Sequence, residues 1–432
     1  MEIKQGGVVS RLLADVPIPR MFRAEQLFPR ERIAPADIPA AVAGELSREP
    51  FRSKIRPGMS IAITAGSRGI ANVDLITRSI ADFVKARGAV PFIVPAMGSH
   101  GGATAEGQLE VLASYGITPE AMGCEIRSSM EVVELGTSDT GLPVYLDKNA
   151  YEADGIIVSC RLKPHNAFRG PYESGLMKMA VIGMGKQHGA YQCHKLGFKS
   201  MAANVKEFAG AIIEKKPNMF AIGLIENAYH QTCRIEAIPA GRILAEEPPL
   251  LEYAKSRMAK VPFDQADILF VDETGKDISG AGMDPNVTGR SPVLGISRPF
   301  FQRIAVFDLT DKSHGNFGGL GSADVTTQRL YRKIDFEQTY PNGITAAEPL
   351  AVRLPAVMPS DRTAMQFALR TATDCDWEKG PRIVWLKNTL SLSEFYISEA
   401  LIPDAEALDN VTIVSEPMEV IFDEEGNVKE LR

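Results

Sequence analysis

The sequence predicts an α/β fold: two α/β domains with mostly parallel sheets and an active-site cleft between them. Two observations carry this. Short apolar runs recur along the chain, and they are continuous rather than alternating, as strands covered on both faces are. Between them lie stretches with helical spacing, so that strand and helix alternate. In chain order the predicted strands are "SIAIT" (60–64), "VPFIVP" (90–95), "GIIVSC" (155–160), "MFAIGLI" (219–225), "DILFVD" (267–272), "RIAVFDL" (303–309) and "RIVWLK" (382–387). The helix predicted over 72–88 puts Val73, Ile76, Ile80, Phe83 and Val84 on one face, with Asn72 to cap its start and Gly88 its end. A second runs from Thr104 to Gly116 and a third over 200–216. The proline- and charge-rich stretch 245–267 reads as a joint, which divides the chain into an N-terminal domain, 1–260, and a C-terminal domain, 261–432, that closes the cleft.

Composition narrows the partners. The chain has 432 residues, 45% of them hydrophobic, enough for large cores. The net charge of −7 comes without a basic block, which argues against nucleic acid and for a small molecule held by local basic residues. No apolar run reaches the roughly 18–20 residues of a membrane span, and the N-terminus lacks the apolar core of a signal peptide. Five scattered cysteines with no C-x-x-C fit a reducing cytoplasm.

Ligands of open parallel sheets bind beyond the carboxyl ends of the strands. The residues just after the first five predicted strands are therefore the candidates, and they are polar each time: Arg68; His100; Lys163, His165 and Arg169; Glu226 and His230; Glu273, Lys276 and Asp277. His100 lies among Gly98, Gly101 and Gly102, as in any tight strand-to-helix turn, but also as in a loop that lets backbone approach a ligand. Two histidines at two strand ends can serve opposite faces of one substrate. Lys178 interrupts the apolar run "SGLMKMAVIG", which marks either a snorkelling side chain or a desolvated amine. "GMGKQHG" (183–189) approaches a dinucleotide fingerprint if "MAVIGMG" is strand and turn, although its spacing is one residue too long. His188 with His194, and His230 with Cys233, match no zinc spacing.

The segments "VPAMGSHGGATAEGQ", "KPHNAFRGPYESGLMKM" and "GAYQCHKLGF" resemble the nickel-pincer lactate racemases, a family of 2-hydroxyacid racemases and epimerases. The order Arg68, His100, His165, Lys178, His194 is similar to that family's functional order. The resemblance implies an isomerase with a nickel-pincer nucleotide: a pyridinium mononucleotide whose two sulfur groups grip nickel. It implies Lys178 as covalent anchor with Ser174 and Gly175 beside it in the cofactor site, His194 as the protein's metal ligand, His100 and His165 as paired acid–base residues, and Arg68 as a substrate ligand. It also implies a dependence on the host's cofactor-synthesis enzymes. The family's later substrate loop is replaced here by 272–290, where Lys276 or Arg290 is the candidate for the substrate carboxylate. The acids there, with Glu173 and Glu226, suggest a substrate larger than lactate, such as an aldonate. The competing readings are a nicotinamide-dependent oxidoreductase using "GMGKQHG", and a non-catalytic anion-binding protein.

Overall fold

The computed structural model describes residues 4, 6–66, 69–195, 197–216, 218–291, 296–346 and 348–432. The chain forms two compact units: a central unit, Pro29–Met258, and a terminal unit, Met1–Phe28 with Ala259–Arg432.

The central unit is built on β1 (Ser60–Ala65), β2 (Val90–Pro95), β3 (Glu125–Ile126), β4 (Gly155–Arg161), β5 (Met219–Glu226) and β6 (Thr232–Pro239), in the order β3-β2-β1-β4-β5-β6. All neighbours are parallel except β5 and β6. β1, β2, β4 and β5 are buried almost throughout, so the continuous apolar runs are the mark of a sheet packed on both sides. Phe92, Val94, Ile156 and Val158 face one core, and Ile61, Ile63 and Ile157 face the other. α1 (Val73–Ala86) packs Ile76, Ile80 and Val84 into that second core. Its start is not capped as predicted: Asn72 takes a left-handed backbone (φ 53°) and makes no capping bond. α2 (Ala105–Ser114) is capped as expected, Gly107 N–H donating to the Thr104 hydroxyl (3.0 Å).

The stretch read as a joint is mostly a helix, Ile243–Arg257, with Pro248 and Pro249 inside it. Pro248 has no N–H for the carbonyl four residues back. That carbonyl, Leu244 O, instead accepts from the Tyr172 hydroxyl (2.7 Å). The same helix carries Glu247 and Lys255, which support the loops at the strand ends.

The terminal unit holds an eight-stranded sheet in the order Ala356–Met358, Val325–Thr327, Phe300–Leu309, Gln265–Thr274, Ile383–Leu386, Glu394–Ser398, Met21–Gln26, Val411–Ile413. The first five are parallel and the last three antiparallel. Residues 21–26 fall before the expected division at 260 yet pair with 394–398 and 411–413. No local pattern in residues 21–26 announces partners so distant in sequence. Among the described residues no helix is long and apolar enough to cross a membrane.

Candidate active site

β1 and β4 are adjacent and parallel, and the chain leaves them toward opposite sides of the sheet order. That is a topological switch point, where loops diverge and leave a crevice. Arg68, in the loop after β1, lies outside the described residues. The rest of that loop, from Gly69 to Ala71, is held firmly. Arg161, the last residue of β4, donates to Gly69 O (2.7 Å) and pairs with Glu226, whose other oxygen accepts from Ala71 N–H (2.7 Å). Glu226, expected to face a substrate, instead fastens this loop to its neighbours.

The loop after β4 carries His165, and a second expected substrate ligand, Glu173, organises it. Glu173 is fully buried. One oxygen accepts from His165 N–H (2.7 Å) and lies 3.3 Å from Arg169; the other pairs with Lys255 (2.9 Å). The ring is fixed as well. Ala167 N–H donates to His165 Nδ1 (3.0 Å), so the neutral ring carries its proton on Nε2. Nε2 stands 2.8 Å from Lys178 Nζ. With Nε2–H as donor, Lys178 accepts, and an amine accepts only when uncharged.

The surroundings of Lys178 shift it in that direction. Burial, then the charge of Lys163, lowers its pKa to about 8. Cys160 and Cys193 lie near it, but burial keeps both thiols protonated, with Cys193 pushed up to about 12. Among the described residues no carboxylate pairs with this amine. Burial, with Lys178 and Lys163 nearby, likewise holds His165 well below the usual histidine range. Lys178 closes the short helix Leu176–Lys178, which runs on into a π-turn, Met179–Gly183. The start of this run rests on Glu247, whose Oε2 accepts from Met177 N–H (2.8 Å) while Oε1 has no partner among the described residues. Burial raises Glu247 to about 8, so at neutral pH it is a carboxylic acid and adds no charge beside the lysine.

α3 (Lys186–His194) comes next and ends on His194. His194 Nδ1 lies 2.6 Å from Ala190 O. A carbonyl only accepts, so Nδ1 carries the proton and Nε2 keeps its lone pair. Burial lowers the pKa of His194 and keeps the ring neutral. Phe198 packs against both His194 and His165, with ring centroids 5.8 Å and 6.4 Å away.

His100 is exposed, at the end of the loop after β2. Gly98 has φ 61°, and its N–H donates to Gly183 O (3.2 Å). The buried Gln108 side chain donates to Gly98 O (2.9 Å) and His100 O (3.3 Å), and its oxygen accepts from Lys186 Nζ (3.1 Å). Lys186 is fully buried, donates to Pro95 O and pairs with the buried Asp147 (3.1 Å).

The structure therefore brings His165 into contact with Lys178, and His194 against the same phenylalanine as His165. Ser174 and Gly175 adjoin the anchor chiefly through backbone. Ser174 exchanges main-chain hydrogen bonds with Lys163, and a Cβ on Gly175 would lie 2.2 Å from Glu247 Oε1. Lys276 belongs to the terminal unit, where its Nζ donates to Gly280 O (2.8 Å). Arg290, its expected alternative, is a structural tie there, bound to Asp324 (2.5 Å) and to the carbonyls of Phe301 and Gln302 (2.7 Å each). "GMGKQHG" is not a strand followed by a turn: residues 179–183 form the π-turn, and a Cβ on Gly185 would lie 2.1 Å from Val181 O. The phosphate cradle of a dinucleotide fingerprint needs a strand and an open turn at this point. Among the described residues no three His, Cys, Asp or Glu side chains converge as a metal site. Glu247, Gln108, Lys186 and Asp147 escaped the sequence reading. Lys186 alone carried a signal, being a second lysine behind an apolar run.

Fold and site together define an α/β protein whose strand-end loops bring a desolvated lysine against an imidazole. Residues 12–206 match the family described as the lactate racemase N-terminal domain. Among solved structures, the lactate racemase apoprotein from Thermoanaerobacterium thermosaccharolyticum is similar at 15% identity, with 86% of this chain and 99% of that one covered and a TM-score of 0.54. A structural-genomics protein from Thermotoga maritima is similar at 12% identity, with 83% and 89% covered and a TM-score of 0.45, too low to carry an argument. No curated protein matches. Over residues 12–206 the chain is similar to the lactate racemase N-terminal domain, and the fold of the lactate racemase apoprotein extends over most of its length.

Proposed function

We propose that this chain is a nickel-dependent racemase or epimerase of 2-hydroxy acids, working with a nickel-pincer nucleotide attached to Lys178. The contact between Lys178 and His165 carries the reading: it pairs an amine whose pKa is lowered by its surroundings with an imidazole of fixed tautomer. The residues present suit the group. Lys178 offers an amine of lowered pKa, more readily deprotonated than an ordinary lysine, for a covalent link. His194, its ring oriented by Ala190 O, would hold the nickel through Nε2, a neutral imidazole donor that suits that metal. When bound, the cofactor supplies an acceptor for the hydrogen that leaves Cα as hydride.

The remaining work falls to the chain. The Cα proton of a 2-hydroxy acid is barely acidic, whereas its hydroxyl proton is within reach of a neutral imidazole. Inversion passes through a planar 2-keto acid, so the hydroxyl proton must leave on one face and be restored for the other. His165 and His100 take these two roles: the one that accepts the hydroxyl proton starts neutral, and the other starts protonated and returns a proton to the oxygen as hydride is restored to Cα. For His165 the neutral state is supported by its burial, with the charge of Lys163 nearby. Arg68 and Lys276 remain the candidates for the substrate carboxylate. An aldonate is less favoured than the sequence suggests, because Glu173 and Glu226 are engaged within the chain.

Intact-mass and metal analysis of protein made together with the cofactor-synthesis enzymes tests this. The expected result is one added mass at Lys178, one nickel per chain and racemisation without added nicotinamide cofactor. Full nickel content and activity in Lys178→Ala would refute it.

A further inference from the structure

The buried polar chain behind the His100 loop has no part in the proposed reaction, yet it is connected to both halves of the site. Gln108 donates to the carbonyls of Gly98 and His100. Its oxygen receives Lys186, which is fully buried and pairs with Asp147. Lys186 opens α3, whose last residue is His194, and it comes after the π-turn that begins right after Lys178. A buried lysine that needs only a counter-charge has one in Asp147; the bond to Gln108 adds direction to a side-chain amide. An amide is suited to this link, since it accepts from an ammonium with one atom and donates to two carbonyls with the other. The backbone at Lys186 has φ 54°, where a β-carbon is disfavoured, and that conformation carries its amine into the interior.

We infer that Gln108, oriented by Lys186 and Asp147, is the positioning residue for His100 and ties its loop to the segment bearing Lys178 and His194. This rests on the acid–base role proposed for His100. Gln108 touches no reacting atom; it acts by fixing the backbone from which His100 projects, so its loss lowers turnover more than affinity.

The test uses Gln108→Leu, similar in size and free of polar atoms, and Gln108→Glu, which still accepts from Lys186 but donates to neither carbonyl. Hydrogen exchange of residues 97–104 is measured on the full chain without cofactor, with β5 as internal control, and kcat and KM on the cofactor-loaded protein. Both variants are expected to speed exchange in 97–104 about tenfold with β5 unchanged, and to lower kcat by about tenfold or more with KM within about threefold. Unchanged exchange in the loop overturns the inference. So does exchange raised across the whole unit, which marks a general folding role, or local loosening with normal turnover. The exchange arm needs no cofactor, so it reads the tether even where Lys178 carries no added mass; the mass at Lys178 reads the proposed function without reference to Gln108.

Discussion

The central and terminal units share an architecture and differ in what they bury at the carboxyl ends of their strands. Each has five parallel strands continued by antiparallel ones. In the central unit the chain beyond β4 brings Lys178 against His165, and burial lowers the pKa of both. In the terminal unit the corresponding ends carry Asp272 and Asp361, each pushed up to about 6, chiefly by burial. These acids have partners. Trp385 Nε1–H donates to Asp272 (2.6 Å), Arg329 pairs with Asp361 (3.1 Å), and Val428 N–H donates to Asp361 (2.9 Å), fastening the C-terminal hairpin. A parallel sheet supplies positions at its edge. Whether a group placed there reacts or fastens depends on the partner buried with it.

The contrast is most exposed to test at Lys178 and His165. His165→Gln in the loaded protein is expected to lower racemisation about 100-fold or more in both directions, measured from either enantiomer. The free chain gives a second reading of the same pair. Labelling of Lys178 by an amine-acylating reagent, followed by peptide mass analysis, should rise with pH about a midpoint near 8 rather than the 10.5 of an ordinary lysine. A midpoint near 10.5 would remove the neutral amine.

Glu247 gives the next largest effect. Its folded pKa is raised from 4.5 to about 8, so the folded state holds a proton that the unfolded chain releases. Its contribution to stability is full below the unfolded value and is lost as pH rises through the folded one. Glu247→Gln keeps an acceptor for Met177 N–H and cannot ionise. The variant should therefore gain on the parent by on the order of 4 kcal/mol between pH 4.5 and 8, read by denaturant unfolding of the transition that includes the central unit. A parallel pH dependence in the two proteins would show that Glu247 is not held protonated.

The terminal unit responds differently. Arg290→Ala should cost about 2–3 kcal/mol in unfolding free energy by removing the ties to Asp324 and two carbonyls, while leaving the Lys178 labelling midpoint where it was. The smallest change expected is for Lys276→Ala, a rise in KM of about tenfold for the hydroxy acid with labelling unaltered. An unchanged KM would take Lys276 out of the substrate site.

Much of this was legible in the residues. The strands over 90–95, 155–160 and 219–225 were readable because a strand buried on both faces must be apolar at every position, and β2, β4 and β5 nearly are. Residues 21–26 escaped because their partners are more than 300 residues away in the chain and edge pairing leaves no local trace. Proline misled at 248, where Tyr172 satisfies the carbonyl that a helix proline leaves without a donor. Glu173 and Glu226 misled in another way. A carboxylate near a strand end has the same sequence signature whether it meets a substrate or a backbone N–H.

Lys178 and Lys186 show where sequence stops. Each stands behind apolar residues, and that pattern fits a snorkelling side chain as well as an amine drawn out of water. It could not determine their fates, because the deciding partners come from other parts of the chain. Asp147 lies 39 residues before Lys186 and keeps it as a paired ion that anchors a loop. Lys178 meets a ring whose Ala167 contact turns a proton toward it, and no carboxylate among the described residues pairs with it, so its pKa falls to about 8. Local composition permits desolvation; tertiary packing decides whether it happens and which neighbour offsets it.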